Sequence, residues 1–547
     1  MSGLRGLLAA AAAMGALVAA SPASAIEMSL RPPFLPPIDG SARAEAFSLA
    51  SQGRELILAV NRDERAAVIL RAHGATRLAE GTWLVGATES AAAVRRLDAI
   101  RALRYAHGNA RLRPATMAAM QAAQGDPEDP EPWWLPQIGA DRVTPPRAGF
   151  PLTIIDDGID TTHPEFVGRA VTYVNDSEVM ELDDYHGTMM SSVAIAPLNG
   201  VGVVGLYPQA NLRVADTGYG NCADVLAALD RAVSAGPSVI NMSWGFNPPA
   251  CHAMYDQILR GVANGSLSVS ASGNLRLHFS IPGVPAMWPH VLTVGSTSPS
   301  QRVSYFSSAG QGIDLAAPGE FIVAATPSFF DPSGYAELEG TSFSGAIVSA
   351  AGSWVATRRR MHVTQLFELL RTSARDVGLA GWDKDTGFGI LDLPAALSNS
   401  LPAVDPLEPN DDVNQVSAGA LFKEAAAPLT RPGLERATLK ARLDRSEDPV
   451  DVYRVFVPPR RAVRLRVAPN SNVNLEVFRP NARSCYYKNR RRALQGPLIG
   501  GSYRAGRAAD EFTVRNRPRG GYVFACVFKP RDVAQTASYS LSVMTGS

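Results

Sequence analysis

From Leu152 onward, short runs of β-branched residues alternate with stretches whose apolar residues recur at helical spacing. The strand-like runs are LTIID, LRVAD, SVINMS, LSVSAS and VLTVGS, and the helical stretches between them are TMMSSVAIA, CADVLAALDRAVSA and AMYDQILRGVANG. This alternation predicts an α/β domain with a parallel sheet and helices on both faces. Ligands of such sheets bind beside the carboxyl ends of the strands, so the residues that follow each strand are the candidates for function.

Residues 54–113 predict a smaller unit in front of this domain. Strand-like and helical patterns follow one another in the order β-α-β-β-α-β, from ELILAV to LRYAHGNARL, which is typical of a ferredoxin-like α+β fold. The prolines and acidic residues of QGDPEDPEPWW then indicate an exposed linker. We expect this unit to be a pro-segment, with an ordinary first domain as the alternative.

The end of the chain has a different pattern. After the linker LSNSLPAVDPLEPNDD, apolar residues alternate with polar ones in DVYRVFV, AVRLRVA, VNLEVF, YVFACVF and YSLSV, which predicts an antiparallel β-sandwich. From Val404 to Ser547 there are 24 Lys and Arg against 14 Asp and Glu, while the whole chain has a net charge of only +1. The densest basic cluster is Lys488, Arg490, Arg491 and Arg492. Such a surface is either simply solvated or binds an anionic polymer.

Residues 1–25 have the pattern of a secretory signal peptide. Arg5 supplies a positive charge, Leu7 to Ala20 is an apolar run, and Ala23 to Ala25 provide small residues for cleavage. We therefore expect a secreted, extracellular protein, with the periplasm as the alternative compartment.

Four cysteines, Cys222, Cys251, Cys485 and Cys526, agree with an oxidising compartment. Three disulfide pairings are open, and pairing within each half of the chain is the simplest. The chain has neither the CxxC nor the HExxH spacing of a zinc site, so no metal is predicted.

Four polar residues stand at the predicted strand ends and helix starts. Asp156 ends LTIID, His186 precedes Gly187 at a helix start, Asn274 follows VSASG, and Ser342 opens another helix. A serine needs an imidazole base to become a nucleophile, and the imidazole needs a carboxylate that fixes its tautomer. An amide can stabilise the oxyanion that forms. The alternative for GTSFSGAIVSAAG is a helix of small residues that only packs closely.

The segments around these residues resemble the subtilisin-like serine proteases, or subtilases. IIDDGID resembles the Asp segment of that family, HGTMMSSVAIA its His segment and GTSFSGAIVSAAG its Ser segment. VINMSWG, SASGN, VLTVGSTS, DLAAPG and TGFGILDLPAAL match as well, so the resemblance covers residues 130–398. It implies a subtilisin-like fold and a serine endopeptidase that acts on proteins or peptides.

The resemblance implies a role for each residue. Asp156 would orient His186, and His186 would act as general base and acid. Ser342 would attack the scissile carbonyl, and Asn274 would donate a hydrogen bond to the oxyanion. Ser344 falls where the family has a small residue, so we expect it to serve packing.

The substrate is expected to lie as an extended strand between two backbone segments. These segments are Ser243, Trp244 and Gly245 on one side and Ala271, Ser272 and Gly273 on the other. Strand addition supplies main-chain hydrogen bonds with little demand on the substrate sequence. A core position is the alternative for the side chain of Trp244.

The chain departs from the family pattern at three positions near the site. Asp157 replaces the usual Ser or Thr, Met189 stands where a second His often occurs, and Ala346 replaces the usual Pro. None of them is one of the four reacting groups, so activity is expected, while the rate and the pH optimum are left open. The loop PLNGVGVVG resembles a region where many subtilases bind calcium, but it lacks side-chain carboxylates, so no cofactor is predicted.

The flanking units have resemblances of their own. Residues 54–113 resemble the inhibitory propeptide of subtilases, with IRALRYAHGNARLRP similar to its closing strand and tail. The resemblance implies a ferredoxin-like propeptide over residues 26–125, with a cut expected between about Pro114 and Trp133. Residues 399–547, a linker and the predicted sandwich, resemble the bacterial pre-peptidase C-terminal domain through LEPNDDVNQVSA, DPVDVYRVFVP, NLEVF, GGYVFACVF and ASYSLSV. The expected partners are peptide substrates, the chain's own propeptide and an anionic cell-surface polymer. We expect a monomer that does not bind nucleic acid.

Two other functions compete with the endopeptidase. The first is an inactive subtilase fold that serves as a binding or scaffold protein, and the departures near the site are its only support. An esterase of the α/β-hydrolase type is disfavoured because the chain has no G-x-S-x-G segment. His163 is the rival catalytic imidazole, but it precedes Pro164 in a loop, so we expect it to be structural.

Overall fold

The structure is a computed structural model. It describes residues 40–110, 118–119, 132–174, 185–218, 220–246, 251–276, 281–405, 407–444, 446–486, 496–515, 519–530 and 536–546. The predicted signal peptide and the basic cluster at residues 488–492 lie outside these residues. Among the helices in the described ranges, none is long and apolar enough to cross a membrane.

The N-terminal unit is an antiparallel sheet with helices. Its elements are α1 (Gly40–Ser51), β1 (Leu56–Val60), α2 (Glu64–Ala72), β2 (Thr76–Ala79), β3 (Thr82–Val85), α3 (Ser90–Ala99) and β4 (Leu103–Gly108). The strands are ordered β2-β3-β1-β4. From β1 to β4 the elements follow one another in the expected β-α-β-β-α-β order. After this unit, the two residues of β5 (Ala118–Ala119) form a short strand of another sheet.

The sheet domain is built on seven parallel strands, which confirms the predicted parallel sheet. The strands are β6 (Leu152–Asp156), β7 (Val171–Tyr173), β8 (Leu212–Asp216), β9 (Val239–Met242), β10 (Leu267–Ala271), β11 (Val291–Thr297) and β12 (Leu315–Pro318), in the order β12-β11-β10-β9-β6-β8-β7. The sequence predicted five of them. It missed β7, which is short and lies at the sheet edge, and β12, whose sequence LAAP has low strand propensity.

The helices of the sheet domain cover this sheet. They are α4 (Trp134–Gln137), α5 (His186–Ile195), α6 (Cys222–Ser234), α7 (Ala253–Asn264), α8 (Thr341–Arg358), α9 (Val363–Thr372) and α10 (Leu393–Ser398). Helix α8 is the central one, because every residue from Thr341 to Val355 is buried and it packs against β9 to β12 and α5. Strands β13 (Ile322–Ala325) and β14 (Tyr335–Glu339) precede α8 in the chain and pair with each other, and β5 pairs with the end of β14.

The C-terminal unit contains two four-stranded antiparallel sheets. After α11 (Val413–Val416), the strands are β15 (Arg436–Asp444), β16 (Val450–Val457), β17 (Val463–Pro469), β18 (Asn474–Phe478), β19 (Leu498–Ser502), β20 (Asp510–Val514), β21 (Gly521–Phe528) and β22 (Thr536–Thr545). Their orders are β15-β22-β17-β20 and β16-β21-β18-β19. Residues of both sheets share one buried apolar cluster, for example Val455 of β16 and Leu465 of β17.

Both disulfides join cysteines of the same unit, in agreement with the simplest pairing. Cys222 pairs with Cys251, and Cys485 pairs with Cys526, with Cα atoms 5.6 and 6.5 Å apart. The first bond ties the start of α6 to the segment in front of α7.

Candidate active site

Asp156 and His186 form the centre of the site. Strand β6 ends at Asp156, and α5 begins at His186. Nδ1 of His186 lies 2.9 Å from Oδ1 and 3.0 Å from Oδ2 of Asp156. Both side chains are nearly buried, so this charge-assisted contact is shielded from water. The carboxylate therefore fixes the ring orientation and keeps the proton on Nδ1, which leaves Nε2 as the basic nitrogen.

The local sequence explains why α5 can approach β6 so closely. A Cβ atom at Gly187 would overlap the carbonyl oxygen of Gly158 and lie 3.1 Å from Cβ of Asp156. Any side chain at this position would force the helix away from the strand. The glycine after His186 is therefore a requirement of the contact between His186 and Asp156.

Asp157 anchors the start of the same helix. Its Oδ1 accepts a hydrogen bond from the backbone N–H of Gly187 at 2.6 Å, and its Oδ2 accepts from those of His186 at 3.1 Å and Tyr185 at 3.2 Å. These are backbone donors at a helix N-terminus, where a carboxylate is stabilising. The sequence singled out Asp157 only as a departure from the family pattern, and its role as the cap of α5 emerges from the structure.

The two adjacent carboxylates perturb the titration of the site. Burial and the charge of Asp156 raise the pKa of Asp157 to about 7. Burial acts to lower the pKa of His186, but the negative charges of Asp156 and Asp157 outweigh it and raise that pKa. Because the pKa of folded Asp157 lies above its ordinary value of 3.8, its contribution to stability is full below pH 3.8 and is lost as the pH rises through about 7.

Ser342 lies at the N-terminus of α8 and is fully buried. Its Oγ donates to the carbonyl oxygen of Ser243 at 3.1 Å. Nε2 of His186 is buried and has no hydrogen-bond partner within the described ranges. The hydroxyl and the imidazole are therefore not hydrogen-bonded to each other in this structure, although α5 and α8 pack together. Catalytic hydrogen bonds often form only when substrate binds, and rotation about the Cα–Cβ bond changes the partner of the hydroxyl.

Asn274 is held at the start of the same helix. Its Oδ1 accepts hydrogen bonds from the backbone N–H of Thr341 at 2.9 Å and from the Thr341 hydroxyl at 2.8 Å. The Thr341 hydroxyl also accepts from the backbone N–H of Gly273 at 3.1 Å. These contacts join the loop after β10 to the residue that precedes Ser342. Thr341, which the sequence analysis did not single out, is thus the residue that positions Asn274.

The two predicted substrate-binding segments lie at the ends of β9 and β10. Ser243 and Ser272 are buried, and Gly273 has a φ of +98°, which favours glycine. The indole of Trp244 is 5 % exposed and donates to the carbonyl oxygen of Ile155 at 2.6 Å. This side chain takes the core position, so the backbone of Trp244, and not its ring, is the part that could contact substrate.

His163 and Ser344, the other candidates for the catalytic imidazole and hydroxyl, bond to backbone groups instead. Nε2 of His163 lies 2.8 Å from the carbonyl oxygen of Gly334, and its Nδ1 accepts from the backbone N–H of Glu165 at 3.2 Å. Oγ of Ser344 donates to the carbonyl oxygens of Ala317 and Pro318. Both side chains therefore fasten neighbouring segments together.

Comparisons with known proteins find sequences similar to the sheet domain. Residues 147–389 match the subtilase family, peptidase S8. The chain is 30 % identical over 254 residues to Subtilisin E of Bacillus subtilis (strain 168). The matched residues make up 45 % of this chain and 65 % of Subtilisin E, so the chain spans just under two thirds of that protein's length. It is 28 % identical over 239 residues to Thermitase of Thermoactinomyces vulgaris, covering 41 % of this chain and 83 % of that protein.

A solved structure supports the fold. Fervidolysin from Fervidobacterium pennivorans, a keratinolytic enzyme related to subtilisin, matches with a TM-score of 0.53 at 18 % sequence identity. The match covers 86 % of this chain and 70 % of that protein. Residues 147–389 are thus similar in sequence to the subtilase family, and the likeness to fervidolysin supports a subtilisin-like fold.

Proposed function

We propose that this protein is a secreted serine endopeptidase that is made as a zymogen and hydrolyses peptide bonds through an acyl-enzyme on Ser342. The observation that carries the proposal is the hydrogen bond between Asp156 and His186, which leaves Nε2 of His186 without a partner within the described residues. The relatives of this chain include proteins named serine proteinases and subtilisins.

In the first half of the reaction, Oγ of Ser342 attacks the scissile carbonyl carbon while Nε2 of His186 takes the hydroxyl proton. The negative charge that develops on the carbonyl oxygen would be met by the side-chain amide of Asn274 and by backbone N–H groups at the start of α8. His186 then gives its proton to the leaving amine. The C–N bond breaks, and the acyl group stays on Ser342.

In the second half, a water molecule replaces the amine. His186 takes a proton from the water, whose oxygen attacks the acyl carbon, and the same imidazole returns the proton to Oγ of Ser342. Asp156 stays ionised throughout and stabilises the positive charge that forms on His186. The enzyme is thereby regenerated, with one peptide bond hydrolysed.

Contacts of the N-terminal unit support its proposed role as a propeptide. Asn109 Oδ1 accepts from the backbone N–H of Ala223, and Nε2 of His107 accepts from that of Ala253, at 3.0 and 3.2 Å. These acceptors meet the starts of α6 and α7, where backbone N–H groups lack partners within the helix. Further along the chain, β5 pairs with Leu338 and Glu339, shortly before Ser342. The backbone of β5 therefore lies beside the strand that ends three residues before the proposed nucleophile.

One ion pair stands out in that interface. Arg104 of the N-terminal unit makes a bidentate contact with Asp256 of α7, at 2.7 and 2.9 Å. The Tyr105 hydroxyl also donates to Asp256, at 2.8 Å. Both charged side chains are buried, so either one would be left without its partner in a low-dielectric environment if the other were removed.

Secretion rests on the signal-peptide pattern of residues 1–25, and binding of an anionic polymer rests on the charge of the C-terminal unit. Both stay predictions. The scaffold alternative differs from the enzyme in one respect: it needs no reactive hydroxyl.

The first prediction concerns the nucleophile. Ser342→Ala should lower peptide hydrolysis by about 10⁶-fold, the loss known for the nucleophile of subtilisin, and should abolish self-cleavage between the N-terminal unit and the sheet domain. Ser344→Ala is the matched control, because its hydroxyl only bonds two backbone carbonyls, and it should stay active. Hydrolysis of a peptide substrate and the mass of the purified chain measure both effects. An uncut, inactive wild-type chain would favour the scaffold.

The second prediction concerns Asp157 and pH. The charge of Asp157 raises the pKa of His186, so Asp157→Ser should move the acid limb of the kcat/KM profile to lower pH. Serine keeps a capping oxygen for α5. Asp160→Asn, which removes a carboxylate that bonds Thr162, is the control and should leave the profile in place. An acid limb that stays unchanged or moves to higher pH in Asp157→Ser would contradict the role given to Asp157.

The third prediction concerns the buried ion pair. Arg104→Ala would leave Asp256 without its cation in the interface, at a cost of about 3–5 kcal/mol, which weakens binding of the N-terminal unit by about 10²-fold or more. After self-cleavage, the N-terminal fragment should co-elute with the rest of the wild-type chain and separate in the variant. Arg43→Ala removes an exposed pair within the N-terminal unit and should not release the fragment. Equal retention of the fragment in Arg104→Ala would refute the assigned interface.

A further inference from the structure

A loop of the C-terminal unit contacts the N-terminal unit directly. The loop spans residues 417–422, here called the clasp loop, and it follows α11 without a gap. The carbonyl oxygen of Gly419 in this loop accepts a hydrogen bond from the backbone N–H of Arg62 at 3.0 Å. Arg62 lies two residues after β1 of the N-terminal unit. The proposed catalytic mechanism does not use this contact, which joins two units that lie far apart in the sequence.

The side chain of Leu421 adds an apolar contact to the same place. Leu421 is fully buried and belongs to an apolar cluster that residues of all three units share. The cluster includes Ile57 and Tyr105 of the N-terminal unit and Ile258 of α7. Burial of a leucine side chain is favourable, so Leu421 stabilises the boundary between the N-terminal unit and the sheet domain.

Arg260 of α7 lies where the three units meet. Its Nη2 donates to the carbonyl oxygen of Leu421 at 3.3 Å, and its Nη1 donates to Oε2 of Glu80 in the N-terminal unit, also at 3.3 Å. Glu80 in turn pairs with Arg62, whose backbone N–H bonds Gly419. One guanidinium thus bonds the N-terminal unit and the clasp loop at the same time.

The clasp loop is fixed to the sandwich through the helix that precedes it. Val413 and Val416 of α11 are buried in one apolar cluster with Val452 of β16 and Phe478 of β18. Asp412, which caps α11, also accepts from the backbone N–H of Cys485 at 2.8 Å. The clasp loop begins directly after this anchored helix. It therefore moves together with the strands of the C-terminal unit.

Hydrogen bonds inside the segment give the clasp loop a defined shape. The backbone N–H of Leu421 donates to the carbonyl oxygen of Asn414 at 3.1 Å, and that of Gly419 donates to the carbonyl oxygen of Phe422 at 2.9 Å. A loop that is ordered by its own bonds loses little conformational entropy when it contacts a neighbour. The contacts with the N-terminal unit can therefore contribute to binding instead of being offset by the ordering of the loop.

A cut between the N-terminal unit and the sheet domain would break none of these contacts. The N-terminal fragment would still be held by α7, through the pair between Arg104 and Asp256, and by the clasp loop, through Gly419 and Leu421. Two contact surfaces on one body retain a ligand much longer than either surface alone. The N-terminal fragment would thus be bound from two sides.

We propose that the clasp loop is an interaction surface for the N-terminal fragment, and that it retains this fragment on the sheet domain after the chain has been cut. Full activity then requires that the C-terminal unit moves away from the fragment or is removed. Retention does not depend on the proposed function, whereas the control of activity rests on it.

The retention test uses a full chain that cannot cut itself. The chain carries Ser342→Ala and a recognition sequence for an unrelated, site-specific protease between Gly125 and Asp126, in the predicted linker. After the cut, size-exclusion chromatography at increasing times measures dissociation of the N-terminal fragment. Leu421→Asp places a charge in the buried cluster and should speed dissociation by about tenfold or more, since interface substitutions act mainly on the dissociation rate.

The matched control is Leu434→Asp, the same substitution at an exposed leucine of the C-terminal unit, which should leave the dissociation rate unchanged. If Leu421→Asp does not fold, as judged by circular dichroism, Leu421→Ala decides, because it removes the apolar side chain without adding a charge. Equal dissociation rates in the parent chain and in the folded Leu421 variant would refute the clasp. Immediate loss of the fragment from the parent chain would refute it as well.

The control of activity is tested in the chain that carries Ser342. Leu421→Asp should shorten the lag before full peptide hydrolysis by about tenfold or more, in step with the faster loss of the fragment, and Leu434→Asp should keep the lag of the wild type. A lag that stays unchanged while the fragment dissociates faster would contradict the control of activity by the clasp loop. Absence of hydrolysis in every form would instead contradict the proposed function, and the retention test would still decide on the clasp.

Discussion

The hydrogen bond between Asp156 and His186 is the contact on which the proposed chemistry depends. It forms because β6 ends at Asp156 and α5 begins at His186, and because Gly187 lets the helix start approach the backbone of Gly158. Asp157 then holds the backbone of that helix start through three N–H groups. Two consecutive carboxylates thus divide the task, since one orients the imidazole and the next anchors the helix that carries it.

Buried charges with an oppositely charged partner, such as His186 with Asp156, also occur at both interfaces of the sheet domain. Arg104 meets Asp256 below the N-terminal unit, and Arg371 meets Asp314 and Asp444 at the border with the C-terminal unit. Burial makes each of these pairs costly to break, because removing one partner leaves the other charge buried and unpaired.

Much of the fold and of the candidate site is readable from the sequence. Alternation of strands and helices predicted the parallel sheet, and the segments around Asp156, His186, Asn274 and Ser342 identified the four polar groups because each follows a strand or opens a helix. The burial of Trp244 was not decided by the sequence, because it depends on the distant carbonyl of Ile155.

The central claim is that His186 makes one hydroxyl, that of Ser342, nucleophilic. The most direct measurement is reaction of the folded protein with a fluorophosphonate, followed by mass spectrometry of the labelled peptide. A single phosphonyl adduct on Ser342 that is absent in His186→Ala is the expected result. An unlabelled protein, or an adduct that persists without His186, would contradict the claim.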